Sequence, residues 1–120
     1  MARIKRGTLR LRDVKRGDKM DFSVLFKGYD LAGKNLAMDV RRDASSVAVL
    51  RFSTEDGSIE VVQDIVNDGW TVTFKKTSLQ MKVNAGTYKI DVEAYTTDED
   101  TETICDGYME IVPEITKRIK

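Results

Sequence analysis

The chain has 120 residues, one cysteine, no histidine and equal numbers of acidic and basic residues, so its formal net charge is zero. A chain of this length fits one domain that buries about two-thirds of its unfolded surface without disulfides. The lack of histidine removes the commonest general base and metal ligand, so we expect no enzyme, catalytic residue, metal or cofactor, and Cys105 is interpreted as a packing residue.

The first half of the chain reads as short strands separated by turns. Residues 8–12 predict an edge strand, and a turn at 15–18 precedes a second strand at 20–26. Residues 36–41 predict a third strand and the apolar run 47–52 a central one. Alternation places one set of residues inward in the second and third strands: Met20, Phe22, Val24, Phe26, Leu36, Met38 and Val40.

The second half continues the same pattern. Residues 55–58 (Glu-Asp-Gly-Ser) are a hairpin signal, and Asn67-Asp68-Gly69 is another, before a strand containing Trp70, Val72 and Phe74. Residues 77–83 fit either a strand or a single helical turn. Residues 97–100 predict the last hairpin loop, and 103–112 the last strand.

The clearest strand is residues 86–95. Tyr88, Ile90, Val92 and Ala94 alternate with Lys89, Asp91 and Glu93, so the first set faces the core and the second set faces outward. About eight strands at spacings near ten residues predict an all-β, immunoglobulin-like antiparallel β-sandwich of seven to eight strands. An eight-stranded barrel is the second choice. We divide the chain into a basic N-terminal arm (1–7), the sandwich (8–113) and a charged C-terminal tail (114–120).

The charge is segregated along the chain. Residues 1–20 carry eight basic and two acidic groups, whereas residues 91–114 carry nine acidic groups and no basic one. Such asymmetry bears on partners, although an ordinary solvated surface is an equal alternative. Nucleic acid is an unlikely partner, because no aromatic residue is interleaved in the basic segment and the acidic segment would repel a polyanion.

Three other kinds of site receive little support. The acidic residues from Asp98 onward lack the Gly and Glu that an EF-hand loop requires, which leaves at most a weak calcium site. Asp91 and Glu93 could pair for glycoside chemistry, but alternating acids on a strand usually face solvent. An aromatic sugar platform could come from five residues, for which burial is the better expectation: Trp70, Phe74, Tyr88, Tyr95 and Tyr108.

No membrane-length apolar run or secretory leader is evident, so we expect synthesis in the cytoplasm without export. A set of motifs in fixed order then identifies a family resemblance. It comprises a basic-Gly-Asp turn at 15–18, Asp-Leu-Ala-Gly at 30–33, a strand closing on an Asp-Gly turn at 50–59, Gly-Thr-Tyr at 86–88, and Gly107-Tyr108. This pattern resembles the immunoglobulin-like β-sandwich domains of tailed-phage structural proteins, including the N-terminal domain of baseplate upper proteins.

The resemblance implies a non-enzymatic virion structural and assembly protein, made in the host cytoplasm. Its partners would be other virion proteins and further copies of itself, with no membrane contact, and its location in head, neck, tail or baseplate stays open. We expect the basic arm to contact an acidic face of a neighbour through eight residues: Arg3, Lys5, Arg6, Arg10, Asp91, Glu93, Asp98 and Asp100. The alternative is a carbohydrate-binding or host-attachment module; a hydrolase ranks third.

Overall fold

The computed structural model describes residues 2–4, 8–43, 46–97 and 99–114, with only the backbone described for 2–4. Within these residues the chain forms strands and turns, and no helix is long and apolar enough to cross a membrane. The strands are β1 (Ala2–Ile4), β2 (Thr8–Lys15), β3 (Met20–Phe26), β4 (Asn35–Arg41), β5 (Leu50–Ser53), β6 (Ile59–Asp64), β7 (Gly69–Lys76), β8 (Gly86–Tyr95) and β9 (Glu102–Val112).

The strands form two sheets, in the orders β1-β3-β7-β6 and β2-β9-β8-β4-β5. β7 lies between β3 and β6, and β8 lies between β4 and β9, which is the strand order of an immunoglobulin-like sandwich. The predicted fold class is therefore confirmed. Two pairs, β1 with β3 and β2 with β9, run parallel rather than antiparallel. No hairpin joins the members of either pair, so chain connectivity does not impose an antiparallel direction.

The core lies between the sheets and consists of the inward residues that alternation predicts. Leu36, Met38 and Val40 are buried on β4, as are Tyr88, Ile90, Val92 and Ala94 on β8. Phe52 of one sheet meets Phe74 of the other edge to face, with ring centroids 6.0 Å apart. Burying each such side chain contributes about 1.5–3 kcal/mol. Phe22 and Trp70 are only partly buried, although both pack against the core.

Two of the predicted elements differ from those observed. The strand predicted at 47–52 begins only at Leu50, with Val47 84% exposed, and it lies at the edge of the five-stranded sheet rather than at its centre. The turn at 55–58 is not a hairpin, because β5 and β6 belong to different sheets and do not pair. Ser58 donates to the Asp56 carboxylate and its Oγ accepts from the Ser53 N–H at 2.8 Å, which folds the turn so that the chain crosses between the sheets.

The connection between β7 and β8 contains a single helical turn, one of the two possibilities left open for residues 77–83. The Met81 N–H donates to the Thr77 carbonyl at 3.1 Å, and the Met81 side chain is fully buried. Where the connection meets β8, the Tyr88 hydroxyl donates to the Asn84 carbonyl at 2.5 Å. A tyrosine that bonds back to the chain at this position is the tyrosine corner of immunoglobulin-like sandwiches.

Candidate interaction surface

The outer face of the five-stranded sheet carries a row of three carboxylates across three neighbouring strands. Asp39 of β4 lies directly opposite Asp91 of β8, and Asp91 lies directly opposite Asp106 of β9. Directly opposed residues point to the same side of a sheet, and like charges in such pairs are destabilising. We call Asp39, Asp91 and Asp106 the acidic row.

Cations neutralise only one end of the acidic row. The Arg41 guanidinium donates to Asp39 Oδ2 at 2.8 Å, and Arg51 Nε lies 3.5 Å from Asp39 Oδ1. Oδ1 is buried and accepts no hydrogen bond from the described residues. Within the same described part of the chain, Asp91 and Asp106 form no ion pair. The row therefore keeps an uncompensated negative charge at the middle of the sheet.

The negative charge of the row contributes to raised pKa values at Asp91, which belongs to it, and at Cys105, which precedes Asp106 in the chain. Burial raises the pKa of Asp91, and the nearby carboxylates of Asp39 and Asp106 raise it further against the opposing effect of Arg41. Burial also raises the pKa of the Cys105 thiol to about 12, with contributions from Asp106 and Asp91. Cys105 is buried between the sheets, in keeping with its interpretation as a packing residue.

Replacing Asp91 with asparagine should stabilise the fold near neutral pH by about 0.5 kcal/mol, because it removes the like charge from both cross-strand pairs. The raised pKa means that the folded state keeps the Asp91 proton to higher pH than the unfolded state does. Stability contributed by that proton is lost as pH rises from about 4 through the folded-state pKa. The gain from Asp91→Asn should therefore shrink on acidification and vanish near pH 3, as measured by urea unfolding across pH.

Glu93→Gln is the matched control for this prediction. Glu93 lies on the same strand and face, but it faces Ala37 and Thr103 rather than carboxylates. We expect Glu93→Gln to leave the free energy of unfolding within about 0.2 kcal/mol of the wild type at every pH, because no carboxylate lies opposite Glu93. If the free energy of unfolding of Asp91→Asn also matched the wild type at every pH, the acidic row would exert no repulsion.

A basic edge borders the acidic row. β2 pairs with β9, so Arg10 lies beside Tyr108 in the register and Arg12 donates to the Tyr108 hydroxyl at 3.0 Å. At the end of β2, Arg16 pairs with Glu114 at 2.7 Å. The basic N-terminal and acidic C-terminal segments thus supply the neighbouring strands β2 and β9, and part of their charge is compensated within the chain.

The structure brings together only some of the residues predicted to interact. Arg10, Asp91 and Glu93 lie on or beside the same outer face, whereas Asp100 lies in the β8–β9 turn. The Thr96 hydroxyl donates to the Asp100 carboxylate, as do the N–H groups of Thr97 and Thr96, each at 2.8 Å, and these bonds hold the pKa of Asp100 far below its usual range. Asp100 therefore has a structural role in the turn.

The remaining predicted residues lie at or beyond the limits of what the structure describes. The Arg3 backbone belongs to β1 and pairs with Leu25 of β3. Lys5, Arg6 and Asp98 fall outside the described residues, so their predicted contacts stay predictions.

Sequence reasoning missed Asp39 as a member of the acidic surface. Its outward direction followed from the alternation of Leu36, Met38 and Val40, so that signal was available. Its position opposite Asp91 could not be predicted from the sequence, because the two residues are 52 positions apart in the chain and the β4–β8 pairing is non-local.

The aromatic residues do not form a shared exposed platform. Phe74 and Tyr88 are buried in the core, and Trp70 packs against it. Tyr95 and Tyr108 face outward from β8 and β9, but Tyr95 pairs with Asn35 and Tyr108 with Lys89, so six residues of β8 separate them, about 20 Å. Within the described ranges, no group of three or more Cys, Asp or Glu is arranged to hold a metal ion.

No protein-family model matches this sequence, and no curated protein is similar enough to count as a relative.

Proposed function

We propose that this protein is a non-enzymatic structural and assembly module of a tailed-phage virion. The observation that carries the proposal is the acidic row, a set of like charges that destabilises the isolated chain and that a cationic partner would relieve. The sandwich fold and the resemblance of the motif order to that of phage structural domains also support it. Head, neck, tail and baseplate all remain candidate locations.

The cationic partner is the basic arm of a neighbouring subunit. Residues 1–7 carry three cations and no acid, and Arg10 follows within three residues. Docking of Arg3, Lys5, Arg6 and Arg10 beside Asp91 and Asp106 would neutralise the uncompensated part of the row. Because the arm and the row are different surfaces, the contact is heterologous and builds a ring when the rotation closes, or a filament when it does not.

The assembly contact is tested with the purified chain. Asp91→Asn combined with Asp106→Asn should weaken self-association about tenfold, as should deletion of residues 1–7. The readout is sedimentation velocity over a range of protein and salt concentrations, since screening should weaken the wild-type contact in the same way. Glu99→Gln with Glu102→Gln is the control, because it removes two charges from the acidic segment away from the row.

The virion assignment is tested separately, by mass spectrometry of purified particles of the phage that encodes the chain. A fixed copy number per particle is the expected result, and loss of incorporation on deletion of residues 1–7 is expected with it. Particles that lack the chain, or that incorporate the truncated form normally, would contradict the proposal. Specific glycan binding by the isolated chain would favour host attachment instead.

A further inference from the structure

The four sheet edges are protected to very different degrees. β1 has three residues and β5 has four, so both offer little backbone for pairing. β2 is interrupted by a register shift between Leu11 and Val14, where Asp13 has a φ of 56°, and its exposed face carries arginines. Short strands, bulges and charges are the usual means of blocking strand addition. β6, with six residues in unbroken register, has neither a bulge nor a basic residue.

Among the strands that the structure describes, none pairs with the second edge of β6, and this free edge presents backbone groups at alternate residues. The Lys75 N–H donates to the Ser58 carbonyl at 2.8 Å, which identifies this pair as a hydrogen-bonded one. Since hydrogen-bonded and non-hydrogen-bonded pairs alternate in an antiparallel ladder, Glu60, Val62 and Asp64 bond to β7. The N–H and C=O groups of Ile59, Val61 and Gln63 therefore point away from β7, toward the position of an additional strand.

Apolar side chains are exposed along the same edge and at its end. Val62 is 62% exposed on the outer face of β6, and Ile65 and Val66 in the following turn are 83% and 94% exposed. An open edge with exposed β-branched residues is a template for strand addition.

The negative charge around β6 favours one kind of added strand. Residues 55–68 carry five acids and no Lys or Arg, and among the described residues only Glu60 of these acids forms an ion pair, with Lys75 of β7 at 2.8 Å. Antiparallel pairing of β6 with β6 of a second copy would bring together two segments of the same negative charge, and the register centred on Val62 would also place Glu60 opposite Asp64, so like-charge repulsion disfavours it. The complementary strand is therefore basic and β-branched.

Residues 115–120 have this composition. Their sequence is Ile-Thr-Lys-Arg-Ile-Lys, with three cations, no acid and three β-branched residues, and they lie outside the described residues. We propose that β6 accepts residues 115–120 of a neighbouring copy as an additional strand, with Arg118 and Lys120 on the face that carries Glu60 and Asp64 and Lys117 on the opposite face.

The same copy cannot supply this strand. Glu114 is paired with Arg16 at 2.7 Å, and a Cβ at Gly17 would lie 3.0 Å from the Glu114 carboxylate, so the last described residue lies beside the β2–β3 turn. The order β3-β7-β6 places the added strand three spacings from β3, about 14 Å away. The contact thus joins neighbouring copies head to tail. It uses neither the acidic row nor residues 1–7, so either contact can fail without the other.

The experiment uses full-length variants that each lose one side of the contact. Gln63→Pro removes a free-edge N–H and should leave the β7 ladder intact, while Gln63→Ala keeps that N–H and is the matched control. Lys117→Glu combined with Arg118→Glu reverses the charge of the segment that would add to β6. Each of the two disabled variants should self-associate about tenfold more weakly than wild type, and Gln63→Ala should associate normally.

A one-to-one mixture of the two disabled variants provides the sharper result. With Asp91→Asn and Asp106→Asn added to both chains to remove the arm contact, the Gln63→Pro chain can still supply residues 115–120 and the charge-reversed chain can still accept them on β6. The mixture should therefore form heterodimers and nothing larger in light scattering. Circular dichroism verifies that both variants remain folded. The proposal is overturned by a Gln63→Pro chain that associates like Gln63→Ala, by a mixture that stays monomeric, or by wild-type association that residues 117 and 118 do not influence.

Discussion

Replacing Gly107 with alanine should lower the free energy of unfolding by about 3 kcal/mol or more, the largest effect expected from any single methyl group in this chain. Gly107 of β9 is the partner of Leu9 on β2. A Cβ at position 107 would lie 1.8 Å from the Leu9 carbonyl oxygen and 2.9 Å from its nitrogen. These are backbone atoms, so β2 itself must move away, and burial of Leu9 and Leu11 is lost with it.

Urea unfolding measures the expected loss, and hydrogen exchange at the amides of β2 shows whether that strand detaches first. Gly33→Ala is the control: its φ of 70° strains any side chain, but nothing lies within 4 Å of the added methyl group. We expect it to cost about 1 kcal/mol. Equal costs at positions 33 and 107 would mean that β2 does not approach β9 as closely as the structure indicates.

Truncation of Tyr88 to alanine should cost about 3–5 kcal/mol, since it empties a fully buried aromatic site in the core. The more informative variant is Tyr88→Phe, which removes only the hydroxyl that bonds to the Asn84 carbonyl at 2.5 Å. We expect a loss of about 1 kcal/mol from that hydrogen bond. The bond fixes the connection after β7 onto the start of β8, so residues 82–85 should exchange faster in the phenylalanine variant.

Tyr95→Phe serves as the control for the hydroxyl effect. Tyr95 lies at the other end of β8, and its hydroxyl donates to Glu55 at 3.0 Å in an exposed position. Its removal should change stability by less than about 0.5 kcal/mol. If the two phenylalanine variants were equally stable, the corner hydrogen bond would have no net effect on the fold.

The two proposed contacts use separate surfaces of the sandwich, and they differ in chemistry. The acidic row lies on the outer face of one sheet and would bind cations by charge. The β6 edge belongs to the other sheet and would bind through its backbone, with charge selecting the partner. A subunit with both contacts has two independent ways to join its neighbours, and the variants described above separate them.

The strands were largely predictable from the sequence because burial on one face of a sheet imposes a local period of two. Residues 86–95 show this directly: every second residue from Tyr88 to Ala94 is buried. The Asn67–Gly69 hairpin was predictable for a similar reason, since its turn residues and flanking strands are adjacent in the chain. The same local information predicted the turn at 55–58 but not its direction. Side-chain hydrogen bonds among Ser53, Asp56 and Ser58 decide that the chain leaves its sheet there.

What the sequence by itself determined was the all-β class, the inward residues and the segregation of charge, because each depends on neighbours within a few positions. Only the tertiary structure decided which strands lie side by side. That choice aligned Asp39, Asp91 and Asp106, placed basic β2 against acidic β9, and left one edge of β6 unpaired among the described residues. Pairing between distant segments follows from how the whole core packs, and no short stretch of sequence contains that information.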